Sequence, residues 1–441
     1  LHLGRDGGHH RRPARQDVHV KAPASLTPAQ ADFLDREALQ AIFSHVEQAG
    51  GEIRVNGGAV RNALLGEPVN DIDLSTTLTP DAVTQVLEAG GIKVIATGIE
   101  HGTVTAVAGG HGYEITTLRE DVETDGRRAI VRFGTDWRAD ALRRDFTMNA
   151  LYCDRDGALF DPLGGYADLI ARQVRFIGSA QARIGEDHLR ILRFFRMFVW
   201  YGSGRPDADG LKACARARES IATLSVERVW HELKRLLGAP DPTRAVLWMR
   251  NTGVLAAALP ETGDWGVDAL GELVAVEREL GLPADAMARL MAILPPREER
   301  VAKLVSRLKL SKDEARRLTG WAAQAPHEGV LDDAALAQRL YRDGAGAVGD
   351  MLLVEAARER VWRGATERAE RLVAMVRFAH AWQRPEFPLA GADLLQAGLK
   401  PGPAVGRLLA RLEAQWVDSG FEPDRQALLA EAVRLAGEPA D

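Results

Sequence analysis

The stretch Arg54-Val-Asn-Gly-Gly-Ala-Val-Arg61, followed ten residues later by Asp71-Ile-Asp73, decides how this chain is read. Residues two apart on a strand share a face, so Asp71 and Asp73 converge while Ile72 turns to the core. Carboxylates placed this way suit divalent cations. Two such ions about 3.5–4 Å apart activate an attacking hydroxyl and steady a departing phosphate. Upstream, Gly57-Gly58 lets backbone amides approach a phosphate closely, and the N-terminus of a following helix adds a favourable field. Arg61 falls on the first turn of that helix, where its guanidinium fork matches a pair of triphosphate oxygens. Asp-x-Asp alone is common by chance, and Gly-Gly alone usually marks a turn. Their ordered combination points to metal and phosphate together.

Outward from this stretch, Thr27 to Thr147 mixes helix-like and strand-like segments. Ala31 to Ala49 has helical spacing, and Gly50-Gly51 ends it. Glu52 to Asn56 reads as a short strand and Val60 to Leu65 as the start of a helix. Asp71 to Ser75 alternates as a half-buried strand does. Thr79-Pro80-Asp81 opens another helix, with Thr79 as N-cap and Pro80 at the first helical position. Lys93 to Ala96, Thr103 to Ala108 and Tyr113 to Leu118 are further strands, about five in all. Beyond Gly178 the pattern is almost wholly helical. Amphipathic stretches such as Arg228 to Leu237, Met287 to Leu294 and Thr366 to Trp382 are separated by Pro240, Pro242, Pro295-Pro296, Pro385 and Pro388. The expected organisation is a disordered leader (1–26), a mixed domain of strands and helices (27–177) and successive helical bundles (178–260 and 261–441).

A chain of 441 residues exceeds a single core. Its 46% hydrophobic and 27% charged content is that of a folded globular protein. No apolar run approaches the ~18 residues of a membrane span, so no membrane partner is expected. Cys153 and Cys214 are too few for a disulfide framework or a thiolate zinc site, and a reducing cytoplasm fits them. The net charge of -6 runs against the usual basic character of nucleic-acid binders. Local basic clusters at Arg143-Arg144, Arg190 to Arg196 and Arg300 to Arg317 run the other way, and the last could touch RNA phosphates.

Gly57-Gly58-Ala-Val-Arg61, Asp71-Ile-Asp73, Arg143-Arg144-Asp-Phe-Thr-Met-Asn-Ala150 and Glu186-Asp187-His-Leu-Arg190 resemble an ordered motif set. It is that of class II CCA-adding tRNA nucleotidyltransferases and the related bacterial poly(A) polymerases. Asp161-Pro-Leu-Gly-Gly-Tyr166 resembles a further family segment. The resemblance covers about Val55 to Gly202; the helical remainder matches in kind only. It implies an α+β, polymerase-β-like nucleotidyltransferase head with a small mixed sheet and helices, followed by all-α neck, body and tail domains. It also implies Mg2+ held by Asp71 and Asp73, triphosphate held at Gly58 and Arg61, and a tRNA 3′ end, ATP and CTP as partners. Asn62 stands where the family usually has Asp, which puts a local salt bridge in doubt. A third carboxylate is often expected on a neighbouring strand in this superfamily. Glu114 is the best-placed candidate, as metal ligand or as base toward the RNA 3′-hydroxyl.

For Arg144 and Asp145, which precede an apparent strand from Phe146 to Tyr152, the resemblance suggests contacts to triphosphate or ribose. The alternative is an Arg–Asp ion pair bracing the domain edge. A helix starting near Glu186 gathers Ile191, Leu192, Phe195 and Val199 on one side and Arg190, Arg193 and Arg196 on the other, with Asp187 bordering the arginine face. A carboxylate at Asp187 takes the amino hydrogen of cytosine or adenine, and Arg190 donates to the adjacent acceptor. Uracil and guanine present the reverse pattern and leave charged groups unpaired. Two side chains can therefore accept C and A without a template. Arg193 and Arg196 serve phosphate or hold the helix in place, as the resemblance suggests. Glu120 to Asp140 is expected, by analogy, as a mobile loop, with an ordinary surface hairpin as the alternative. Addition of C, C and A to tRNA is the leading expectation. Poly(A) synthesis, a CC-only or A-only transferase, and an inactive RNA-binding relative are the competing ones.

Overall fold

The computed structural model describes residues 21–99, 102–125, 128–263, 265–324, 330–364 and 366–436, the side chains of 120–131 excepted. Residues 1–20 of the expected leader lie outside these. Residues 24–26 do not dangle: Leu26 N donates to Gly157 O, and Leu159 N donates to Ala24 O.

The first part of the chain builds α1 (Pro28–Ala31), α2 (Glu37–Gln48), β1 (Ile53–Asn56), α3 (Gly58–Leu65), β2 (Asp73–Thr76) and α4 (Pro80–Ala89). Next come β3 (Lys93–Gly98), β4 (Thr103–Ala108), β5 (His111–Thr117), β6 (Arg119–Asp125), β7 (Arg128–Phe133) and α5 (Trp137–Leu142). They are followed by β8 (Tyr152–Cys153), β9 (Leu159–Phe160), α6 (Gly165–Ile170), α7 (Ala180–Glu186) and α8 (Arg190–Tyr201). Thr79 caps α4 as expected, its hydroxyl accepting from Ala82 N at 3.4 Å.

Seven strands form one sheet in the order β3-β4-β5-β2-β1-β8-β9, and β6 and β7 form a separate hairpin. Among the described residues only β2 and β5 run parallel, so the sheet is mixed. Strand alternation divides its residues. Val55, Leu74, Val104, Ala106, Tyr113 and Ile115 are buried. That face supports α2 and α4, whose buried residues include Leu39, Ile42, Phe43, Val83 and Leu87. The opposite face carries Asn56, Asp73, Ser75, Glu114, Thr116, Thr105 and Thr103.

Two local expectations are corrected. Phe146 to Tyr152 is not a strand: residues Thr147–Asn149 form a 3-10 turn, and only Tyr152–Cys153 pairs into the sheet. Asp145 imposes the turn, its Oδ1 accepting from Phe146 N at 2.8 Å and Asn149 Nδ2 at 3.0 Å. Nor does one helix start near Glu186. Helix α7 ends there, Asp187 is extended, and α8 begins at Arg190. Asp187 starts the new helix, with its carboxylate accepting from Leu189 N at 3.0 Å and its carbonyl from Arg190 N at 3.0 Å. The segment Glu120 to Asp140 has the backbone of hairpin β6–β7 followed by the start of α5; Gly126 and Arg127 within it lie outside the described residues.

The chain divides into two compact units, one running to Arg190 and including Tyr201–Ala213, the other made of Ile191–Trp200 and the chain from Cys214 onward. Among its described residues the second is helical. Arg289, almost wholly buried, donates to Glu277 at 2.8 Å and to the carbonyls of Leu237 and Ala239, tying three helices together. Toward the C-terminus, Tyr341, Leu394, Leu412, Trp416 and Leu428 form a further core. The basic stretch expected to touch RNA is largely engaged within this unit. Arg307 forks onto Glu261 at 2.7 and 2.8 Å, and Arg317 bridges Asp285 and Asp350.

Candidate active site

Hydrogen-bonded pairing places the carboxylates. Asp73, the first residue of β2, lies opposite Asn56 on β1 and beside Glu114 on β5. Asp71 comes just before β2, and Ile72 between them is buried. Asp73 and Glu114 are both exposed at the sheet face. Protein atoms crowding Asp73 hold its pKa above the usual aspartate value; the charges of Glu114 and Asp71 add to this, and Arg144 opposes them.

The donors here are carboxylate oxygens only, the set that hard divalent cations take. Among the described residues no three His, Cys, Asp or Glu side chains close into a cage.

Beside the carboxylates, β1 turns into α3 through Gly57, whose φ of 63° falls where side-chain-bearing residues are strained. A Cβ there would also meet Arg144 Nη1 at 3.4 Å. The turn brings the N-terminus of α3 next to Asn56, so its free amides lie beside the carboxylate strand. Arg61, on the first turn, is 8% exposed. Its guanidinium donates to Asn149 Oδ1 at 2.6 Å, to Asn62 Oδ1 and to Tyr201 Oη at 2.7 Å, and it stacks 3.8 Å from the Tyr201 ring. The neutral Asn62 thus takes the hydrogen bonds that an aspartate would take as an ion pair.

Arg144 sits in a buried network. It donates to Asp140, to Asn56 Oδ1 at 2.8 Å and to Ser75 Oγ at 3.2 Å, and Asn56 Nδ2 donates to the same Ser75 hydroxyl. Asp140 also accepts from Arg143 and from Tyr152 Oη, and these partners keep its carboxyl below the usual range despite burial. Asp145 is buried in its turn against Asn149.

Arg190 donates to Glu186 at 2.5 Å and to the carbonyls of Arg183 and Arg143. Asp187 lies three residues before it, outside α8. In the second unit Arg196 donates to Glu232 at 2.5 Å, and Arg193 stands 4.0 Å from the same carboxylate. Burial lowers the Arg196 pKa, and Glu232 partly offsets this.

Asn56, Ser75, Asp140, Asn149 and Tyr201 did not figure among the sequence candidates. Asp140 had a legible signal, because Arg143 and Arg144 follow it at i+3 and i+4 on a helix. Tyr201, 140 residues from Arg61, had none.

Carboxylates on adjoining strands, flanked by a glycine turn and a helix N-terminus, define a nucleotidyltransferase head of the polymerase-β type. A family model described as the poly A polymerase head domain matches residues 53–175, one for a probable RNA- and SrmB-binding site of polymerase A matches 206–265, and one for tRNA nucleotidyltransferase domain 2 matches 283–432. The mitochondrial CCA tRNA nucleotidyltransferase 1 of Mus musculus is 34% identical over 417 residues, 92% of each chain. The chain belongs to the family of CCA-adding tRNA nucleotidyltransferases. The CCA-adding enzyme of Levilactobacillus brevis is 32% identical over 398 residues, 89% of this chain and 96% of its own. Among solved structures, the Bacillus stearothermophilus CCA-adding enzyme in complex with CTP matches with a TM-score of 0.65 and 27% identity, covering 93% of this chain and 98% of that one.

Proposed function

We propose that this protein adds C, C and A to the 3′ end of tRNA from CTP and ATP without a template, releasing pyrophosphate. The observation that carries the chemistry is the row Asn56–Asp73–Glu114, set beside the turn at Gly57. Asp71 and Asp73 would hold Mg2+, which when bound supplies positive charge to the reacting phosphate and lowers the pKa of the RNA 3′-hydroxyl. Glu114 stands beside Asp73 and can take the proton of that hydroxyl or complete the ion's shell. The amide of Gly58 at the start of α3 and the guanidinium of Arg61 orient the triphosphate, while Gly57, whose own amide donates to the Leu151 carbonyl at 2.9 Å, makes the turn that brings them there. Arg144, through Asn56 and Ser75, holds the strand pair beneath Asp73 in register, and Asp145 shapes the turn that brings Asn149 to Arg61. Asp187 and Arg190 select the base, and the hold of Glu186 on Arg190 supports a fixed direction for its remaining N–H groups. Arg193 and Arg196 stabilise the helix or meet phosphate.

We assign the helical neck (178–260) and the body and tail (261–441) to gripping the tRNA. No helix among the described residues is long and apolar enough to cross a membrane. Both cysteines are buried and free, which supports a reducing compartment such as the cytoplasm.

Incubation of a tRNA ending before CCA with each nucleoside triphosphate singly tests the reading. CTP should be added twice and then stop, and ATP should follow only on the CC end. The rival, tailing with ATP alone, draws on the name of the head's family model; unbounded ATP addition would establish it instead. Asp71→Ala and Asp73→Ala should each reduce incorporation to background while the circular dichroism spectrum stays that of the parent. Full activity in the double variant would remove the metal assignment.

A further inference from the structure

The sheet face that bears Asp73 and Glu114 does not end at them. Glu114 on β5 lies opposite Thr105 on β4, and Thr116 lies opposite Thr103. The bulge between Ile95 and Gly98 brings Thr97 on β3 against Thr105, their hydroxyls 2.8 Å apart. Thr103 and Thr116 hydroxyls are 3.0 Å apart. The intervening residues Val104, Ala106 and Ile115 are buried on the other face, while Thr103, Thr105 and Thr116 stay partly exposed on this one. Toward β1 and β8 the same face is taken up by Arg144, Asp140 and Tyr152. Toward β3 it is a partly exposed surface of two hydroxyl pairs flanked by Ile95, which lies opposite Thr105 and offers an apolar edge to a base or ribose.

We propose that this threonine surface is the bed for the last nucleotides of the RNA whose 3′-hydroxyl is extended. The inference rests on the function proposed above and deepens it. In-line displacement at phosphorus puts the attacking and leaving oxygens on opposite sides of the transferred group. The elements suited to hold the leaving pyrophosphate, Gly57, Gly58 and Arg61, lie on the β1 side of Asp73. The attacking hydroxyl therefore enters from the β5 side, over Glu114. The strand behind it then runs across β4 and β3, roughly 10 Å of sheet at the usual strand spacing.

The chemistry of the surface fits that occupant. In each threonine pair one hydroxyl proton is spent on the partner and the other remains to donate to a phosphate oxygen, while spare lone pairs accept from ribose 2′-hydroxyls. Neutral donors next to Asp73 and Glu114 also avoid competing for the carboxylates as arginine would. The bland alternative is that threonine is simply a good strand former. It predicts no change when the hydroxyls alone are removed.

The double variant Thr105→Val/Thr116→Val removes one hydroxyl from each pair and keeps the branched shape. In steady-state CTP addition to a tRNA lacking CCA, the KM for tRNA should rise about 3- to 10-fold, the loss of one or two modest hydrogen bonds. The KM for CTP and the melting temperature should stay put. Thr105→Ser/Thr116→Ser should restore the parent KM. Separately, the wild-type protein and a tRNA carrying 4-thiouridine as its last nucleotide should photo-crosslink within residues 103–117. An unchanged KM for tRNA in the valine variant, an equal rise in the KM for CTP, or crosslinks confined elsewhere would overturn the proposal while leaving the proposed activity intact. Absence of any nucleotide addition by the wild-type protein would overturn both.

Discussion

Asn62 and Gly165 show how much one atom decides in this head. Asn62 Nδ2 donates to the Pro68 carbonyl at 3.0 Å while its Oδ1 accepts from Arg61. Asn62→Asp would restore the family's usual residue and strengthen the contact to Arg61, but it would set a carboxylate oxygen against the Pro68 carbonyl. We expect a net loss of about 1 kcal/mol in urea unfolding; a gain would mean that the loop moves to relieve the clash. Gly165 begins α6, where Asp161 accepts from Gly165 N and Tyr166 N. A Cβ at Gly165 would fall 2.1 Å from Thr147 O. Gly165→Ala should cost the head about 1–3 kcal/mol, because a backbone atom must move. An unshifted denaturation midpoint would contradict this close approach. The motif Asp161-Pro-Leu-Gly-Gly-Tyr166 was visible in the sequence, but the atom its second glycine makes room for was not, since Thr147 lies in another segment.

At the scale of elements, caps and strand pairing account for most of what could be foreseen. Thr79 and Pro80 announce α4, and alternation announces β2, β4 and β5. The missed elements fail for a local reason: Asp145 and Asp187 each use a side-chain oxygen to capture a nearby backbone amide, which turns a strand into a 3-10 turn and splits a helix in two. The helix Lys312–Ala322 shows the same chemistry used to secure a start. Ser311 and Glu314 form a reciprocal capping box, and Glu314 also accepts from Lys234 on a neighbouring helix at 2.8 Å. Although protein atoms desolvate it, the hydrogen bonds from Lys234 and Ser311 pull the Glu314 pKa down to about 2. A carboxyl depressed on folding stabilises fully above its unfolded pKa of about 4.3 and loses that contribution as pH falls toward its folded value. Glu314→Gln keeps the cap but not the ion pair. The wild-type advantage over it in urea should therefore be constant above about pH 5 and shrink between about pH 4.3 and 2. An advantage undiminished at pH 3 would contradict the depressed carboxyl pKa.

At the scale of the whole molecule, charge and connectivity carry the argument. A chain of net charge -6 that works on a polyanion must concentrate its cations locally. Two arginines of the basic stretch are committed inside the second unit, Arg307 to Glu261 and Arg317 to Asp285 and Asp350, and Arg289 is committed there to Glu277. Whichever cations meet the RNA, their phosphate contacts release counterions. The KM for tRNA should rise steeply with salt on logarithmic axes, while that for CTP rises less. Equal slopes would mean that tRNA is held mainly by contacts other than phosphate. What the sequence by itself determined was the chemistry on offer: the order of the motifs, the α+β head followed by helices, and the pair Asp71 and Asp73, because these follow from side-chain type and short-range periodicity. Only the tertiary structure decided that Asp73 meets Glu114, that Arg144 is absorbed by Asp140, Asn56 and Ser75, and that Arg61 rests on Tyr201. The parallel pairing of β2 with β5 and the return of the chain at Tyr201 join residues far apart in sequence, and no local spacing encodes which distant partner a buried charge will find.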